Sequence, residues 1–81
     1  MDKDNIPEDF LDRMILEGAE LDERIRKAQK FLEKRDMYEK DPLAYDLLQA
    51  QVTAMATYSN ILLIRVNRER ANRNLPTLAQ F

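Results

Sequence analysis

Eighty-one residues with a formal net charge of −2 allow one small domain and argue against non-specific coating of DNA. The chain has no Cys and no His, which removes disulfides, thiolate chemistry, the commonest metal ligand and the usual general base. A single core near this size supplies only roughly 3–5 kcal/mol, so association is the stabiliser left.

The charge is unevenly placed. Residues 1–20 hold seven acids and two bases, whereas residues 61–81 hold four Arg and one Glu. An acidic start without a long apolar stretch does not read as a secretory leader. The longest unbroken apolar run, Ile61 to Ile64, is far too short to span a bilayer. The expectation is a cytoplasmic protein with no membrane insertion.

Met1 to Asn5 is a charged lead-in. A first helix is expected over about 7–35. Asn5 is placed to cap it, Glu8 to complete a capping box, and Pro7 to sit in the first turn, where its missing N–H has no partner. Ile6 is placed to pack on Phe10 as a hydrophobic staple. Glu8, Asp9 and Asp12 suit the positive end of the helix dipole. A heptad seam follows: Leu11, Met14, Gly18, Leu21, Ile25, Ala28, Leu32. Gly18 costs roughly 1 kcal/mol against Ala in a helix interior. Its use would be the close approach of a bulky residue such as Tyr58 or Met55.

Asp36 to Lys40 is expected to carry the connection. Asp41 followed by Pro42 is a helix start, with Asp as N-cap and Pro at the first helical position. The second helix is expected over about 42–71, and a short tail over 72–81 has Leu75, Leu78 and Phe81 as anchors for packing on a neighbouring surface. A short connection between long helices makes them antiparallel.

The second helix carries two apolar seams. Ala44, Leu48, Gln51, Met55, Tyr58 and Leu62 form the first, expected to meet the first helix. Leu43, Leu47, Ala50, Ala54, Thr57, Ile61 and Ile64 form the second. A contiguous strip of that length is unusual on a monomer. The expected fold is therefore all-α, an antiparallel two-helix hairpin with a short C-terminal segment. It is expected to assemble through the second helix into a homo-oligomeric bundle, as one domain over 1–81.

No motif for catalysis is present: there is one Gly, hence no phosphate loop, and no nucleophile–base pair. The expectation is no enzyme, no cofactor and no metal site, since Asp22 and Glu23 lack a His or a second-helix carboxylate to complete a cage. The arginines allow two readings. Arg65 can pair with Glu8, Asp9 or Asp12 across the hairpin, and Arg70 and Arg73 can be solvated. Arg68 instead continues the second seam after Ile64, which an oligomer would bring to a subunit boundary. Arginine suits bidentate phosphate contact. Asn67 and Asn72 add amides nearby, and Tyr58 and Tyr45 add rings able to stack on a base. These five residues are the ligand-binding candidates.

The stretches ELDERIRKAQKFLEK and LLQAQVTAMATYSNILLIRV resemble a family of short phage-encoded helical hairpins related to a crAss-like phage protein. The likeness falls on Glu23, Arg24, Ile25, Phe31, Leu47, Leu48, Gln51, Ala54, Met55, Tyr58, Leu62 and Arg65, within residues 20–66. The hairpin is also similar in architecture to phage sponges that sequester cyclic-nucleotide immune signals. That likeness implies a non-enzymatic counter-defence protein holding a small cyclic nucleotide at subunit boundaries. The alternative is an oligomeric helical protein that binds and blocks a host or phage protein.

Overall fold

The computed structural model describes residues 9–81. The cap at Asn5, the turn at Pro7, the box at Glu8 and the staple at Ile6 lie outside the described residues. Helix α1 spans Phe10–Leu32. Its N-cap is Asp9, whose backbone is extended (φ −76°, ψ 127°) and whose carboxylate accepts the Leu11 N–H at 3.0 Å. The helix therefore starts at residue 10 rather than about 7, because Asp9 supplies the acceptor that free first-turn amides require.

α1 ends three residues before the expected boundary at 35. A six-residue helix, α2, spans Arg35–Lys40 and carries the connection expected over Asp36 to Lys40, so the chain has three helices rather than two. Helix α3 runs Pro42–Asn72. Its start is the expected one: Pro42 opens it, and the Asp41 carboxylate accepts the Ala44 N–H at 3.1 Å. Its end is a Schellman motif. Asn74 takes the left-handed backbone (φ 60°), the Leu75 N–H reaches the Arg70 carbonyl at 2.8 Å, and the Asn74 N–H reaches that of Ala71 at 3.1 Å.

α1 and α3 lie antiparallel. The start of α1 meets the end of α3 through Asp9 and Arg73, and the middles meet through Asp22 and Ser59, bonded at 2.6 Å. The molecule measures 49 × 30 × 15 Å. A helix with its side chains is about 10–12 Å across, so this is a plate little more than one helix thick. Every helix consequently has a face that the chain cannot cover.

The core is small: Leu11, Leu21, Val52, Leu62 and Val66 are buried. On α1 the heptad seam is the packed one, with Leu11, Gly18 and Leu21 buried and Met14, Ile25, Ala28 and Leu32 half-buried. On α3 the packed strip differs from the expected first seam. Ala44, Leu48, Met55 and Leu62 belong to it, but Gln51 and Tyr58 are exposed, and Val52, Ser59 and Val66 are buried in their stead. Burying the Gln51 amide would need hydrogen-bond partners that an apolar contact lacks. Val52, one position on, needs none, and Ser59 satisfies its hydroxyl on Asp22.

The tail packs, as expected, on a neighbouring surface, that of the hairpin itself. Asn67 grips Leu78 with both amide atoms. Its Nδ2 donates to the Leu78 carbonyl at 2.8 Å, and its Oδ1 accepts the Leu78 N–H at 2.7 Å. Arg70 Nε donates to the Pro76 carbonyl at 2.5 Å. The Phe81 ring then lies on Gly18, where a Cβ would overlap it. Gly18 does serve a close approach, but the ring comes from Phe81, not Tyr58 or Met55, because the tail reaches α1 before either of those side chains.

Candidate functional site

The five candidate ligand residues occupy four separate places within one chain. Arg68 and Asn72 sit at the end of α3, where they line an open depression of about 300 Å³ together with Phe10, Met14, Arg65 and Glu69. Asn67, although adjacent in sequence, points to the other side of α3, and its amide is fully engaged by Leu78. Tyr58 lies at mid-helix and donates its hydroxyl to Glu17 Oε2 at 2.5 Å. Tyr45 is near the start of α3, edge-on to Tyr38 with ring centroids 5.2 Å apart. Along a helix axis at about 1.5 Å per residue, Tyr45 and Arg68 are separated by roughly 34 Å.

The four C-terminal arginines divide by task. Arg73 joins the ends of the hairpin. Both its terminal nitrogens contact the Asp9 carboxylate, its Nε bonds Glu69 Oε2 at 2.7 Å, and its guanidinium lies 5.4 Å from the Phe10 ring centre. The hydrogen bonds from Arg73 and from the Leu11 amide hold Asp9 down at about 2. The two carboxylates in turn raise Arg73 above its ordinary value. The pairing expected of Arg65 is thus made by Arg73, which lies two further turns along, level with Asp9 once the hairpin closes. Arg70 is tied to the tail.

Arg65 and Arg68 are exposed, and among the described residues neither forms an ion pair. They stand three residues apart, hence on one side of α3. Phe10, about half exposed, supplies an aromatic surface and Met14 a polarisable one. Two cations over an apolar floor suit an anion that also carries a ring. Arg65, Phe10 and Met14 are the members that the sequence reading left out. The three-residue step from Arg65 to Arg68 is the sequence signal for Arg65, masked by the acidic start of α1, which offers it an ionic partner.

Tyr58 belongs to a second, more acidic hollow of about 370 Å³ that includes Arg13, Glu17, Glu20 and Arg24. The hydrogen bond to Glu17 raises its hydroxyl pKa, since ionisation would put two anions in contact. This ring is therefore held beside a carboxylate, a poor neighbour for a phosphate. Among the described residues no group of three or more acidic side chains is arranged to hold a metal ion.

All seven residues of the expected second seam are exposed. Leu43, Leu47, Ile61 and Ile64 are 67, 62, 49 and 69 % exposed. Thr53 and Thr57 donate their hydroxyls to the carbonyls of Gln49 and Thr53 at 3.1 and 3.0 Å. The Thr57 hydroxyl is thus turned to its own helix and leaves its methyl on the strip. By length and composition α3 is also apolar enough to cross a membrane, with a mean hydropathy of 1.2 over 18 residues.

The model of the Sequestin family matches residues 8–68, which is most of the chain and includes α1, α2 and nearly all of α3. The chain belongs to that family. No curated protein and no solved structure matches it.

Proposed function

We propose that this member of the Sequestin family is a non-enzymatic protein that sequesters an anionic nucleotide signal, a cyclic nucleotide, at the boundary between subunits. The family's name suggests a sequestering role. The observation that carries the ligand class is the Arg65–Arg68 pair beside Phe10, without an ionic partner among the described residues. Hydrogen bonds from a charged donor contribute about 1.5–3 kcal/mol each, enough for two arginines to select an anion. Assembly through the exposed strip of α3 supplies the boundary. The resemblance of residues 20–66 to phage-encoded hairpins gives the setting, counter-defence in the cytoplasm of a bacterial host.

Native mass spectrometry with and without a panel of cyclic nucleotides tests the reading, because it reports copy number and ligand together. The expected result is an oligomer that gains the mass of one nucleotide per site and releases it unchanged on heating. A nucleotide returned in cleaved form would make the protein an enzyme. Recovery of the chain in the membrane pellet would remove the cytoplasmic placement.

A second reading rests on a different observation. The apolar strip of α3 is long enough to take a helix of another protein, as in a helical blocker of a host or phage target. Under it the parent gains no nucleotide, and a polypeptide copurifies in stoichiometric amount.

A further inference from the structure

The strip along α3 has a symmetry of its own. Read forward it runs Leu43, Leu47, Ala50, Ala54, Thr57, Ile61, Ile64, large at both ends and small in the middle. Turned end for end about Ala54, Leu43 comes level with Arg65 and, one residue off, with Ile64 of the strip; Leu47 comes level with Ile61, and Ala50 within one residue of Thr57. Large meets large, small meets small, and Ala54 meets itself. A surface complementary to its own rotated copy is what a two-fold interface requires.

Charge selects the same arrangement. Residues 36–46 carry four acids and one base, and residues 65–73 carry four arginines and one acid. An antiparallel pair brings these opposite ends together at both extremities. A parallel pair would set Arg68 against Arg68 and Asp46 against Asp46, which repel at close range. Helix dipoles favour the antiparallel arrangement as well.

We infer that two copies pair antiparallel across α3 in a register centred on Ala54, so that the partner's Leu43 and Leu47 roof the Phe10–Arg65 depression. The register itself stands on the strip and its charges alone. The ligand it implies, an anion bearing an apolar ring, rests on the sequestering function proposed above. Arg65 stands opposite the partner's Leu43, on the same flank of α3 as Tyr58. Arg68 falls one step toward the other flank, within reach of the partner's Asp41 and Asp46. Arg68 then stands at the rim, where it meets both the partner's end and the anion, and Arg65 lies deeper, over Phe10 and Met14 and beneath two leucines. A depression open to solvent in one chain becomes a closed site in two, and the dimer holds two of them.

The chain has no Cys, so single cysteines report the register directly. Ala54→Cys should link to itself through a short bis-maleimide. Leu43→Cys and Ile64→Cys should each fail to self-link, because the two copies of each lie at opposite ends, and should link when the two variants are mixed. Mixing Leu47→Cys with Arg65→Cys should link across the roofed site. Ala50→Cys mixed with Thr57→Cys reads the same register at an independent pair, should any one variant lose its helical circular dichroism. Self-linking by Leu43→Cys would overturn the inference in favour of a parallel pair. Failure at both Ala54 and the Ala50–Thr57 pair would show that α3 does not meet a second copy at all. Links at those positions without one between 47 and 65 would remove the roof. These outcomes are read without nucleotide, so a parent that binds none would end the proposed function and leave the pairing to be judged on its links.

Discussion

The two faces of α3 are the instructive contrast in this molecule. Both carry a strip of apolar residues, yet only one is packed. The inner face reaches Leu62 and Val66, which are 1 and 0 % exposed, and is finished by specific polar contacts: Ser59 on Asp22, Asn67 on Leu78. The outer face has Leu and Ile residues half to two-thirds exposed and no described contact that crosses it. A plate 15 Å thick cannot cover both faces of its longest helix. The inner face therefore holds the chain together, and the outer face is left to solvent within one chain.

The largest expected effect sharpens the inner side. Leu62→Ala should destabilise the fold by about 2–5 kcal/mol, as for a truncated buried leucine whose site collapses only in part. Urea unfolding at several protein concentrations measures it, and the loss should persist at every concentration. Ala54→Glu is its counterpart on the outer face. It should dissociate an assembled form in sedimentation while leaving the inner contacts of each chain in place. A variant that sediments like the parent would mean that the outer face meets no second copy.

Gly18→Ala comes next. A helix gains roughly 1 kcal/mol from Ala over Gly, but overpacking a filled site costs about 1–3 kcal/mol. Because a Cβ there would overlap three atoms of the Phe81 ring, a net loss is expected, with the tail displaced from α1 and amide exchange at Leu78 raised. In a Phe81→Ala background the same change should become stabilising, since only the helix propensity remains. The sign reversal is the measurement that separates this contact from a general cost of the substitution.

Asn67→Ala removes two hydrogen bonds that hold the tail, worth about 0.5–1.5 kcal/mol each. Amide exchange at Leu78 should rise well before exchange in α3 does.

The Asp9–Arg73 lock has a pH signature. Asp9 titrates at about 2 in the folded chain against an ordinary 3.8. A depressed carboxylate contributes stability that is whole above about pH 4 and is lost as the pH falls toward 2. Asp9→Asn should flatten the stability profile across that window and leave it unchanged near neutrality in shape. The smallest effects are expected on the exposed flank of α1. Glu23→Ala breaks only the solvated pair with Arg26, 2.9 Å apart, and should stay within about 0.5 kcal/mol. Arg65→Ala should be equally mild for stability, since Arg73 makes the contact with Asp9, and its effect should fall on anion binding.

Much was fixed by the chain alone. Asp41 and Pro42 marked the start of α3 because a carboxylate cap and a proline without an N–H are both favoured there. The α1 seam was legible because its apolar residues recur in three-four steps with charge filling most other faces. The exposed strip of α3 was legible for the same reason. Three features waited for the tertiary structure. Two adjacent strips of α3, one through Gln51 and Tyr58 and one through Val52 and Ser59, stand about 100° apart on the helix, and only the side chains of α1 and the tail decide which is covered. Whether Arg65 or Arg73 meets Asp9 depends on how far the hairpin slides before it closes, a distance set by α2 and by the Asp9 cap. The Phe81–Gly18 contact joins residues far apart in the sequence: Phe81 reads as an anchor and Gly18 as a place of close approach, but nothing local pairs the two. Local periodicity determines which residues share a face; it carries no information on what lies across from that face, and the depression between Arg65 and Phe10 exists only through such a contact.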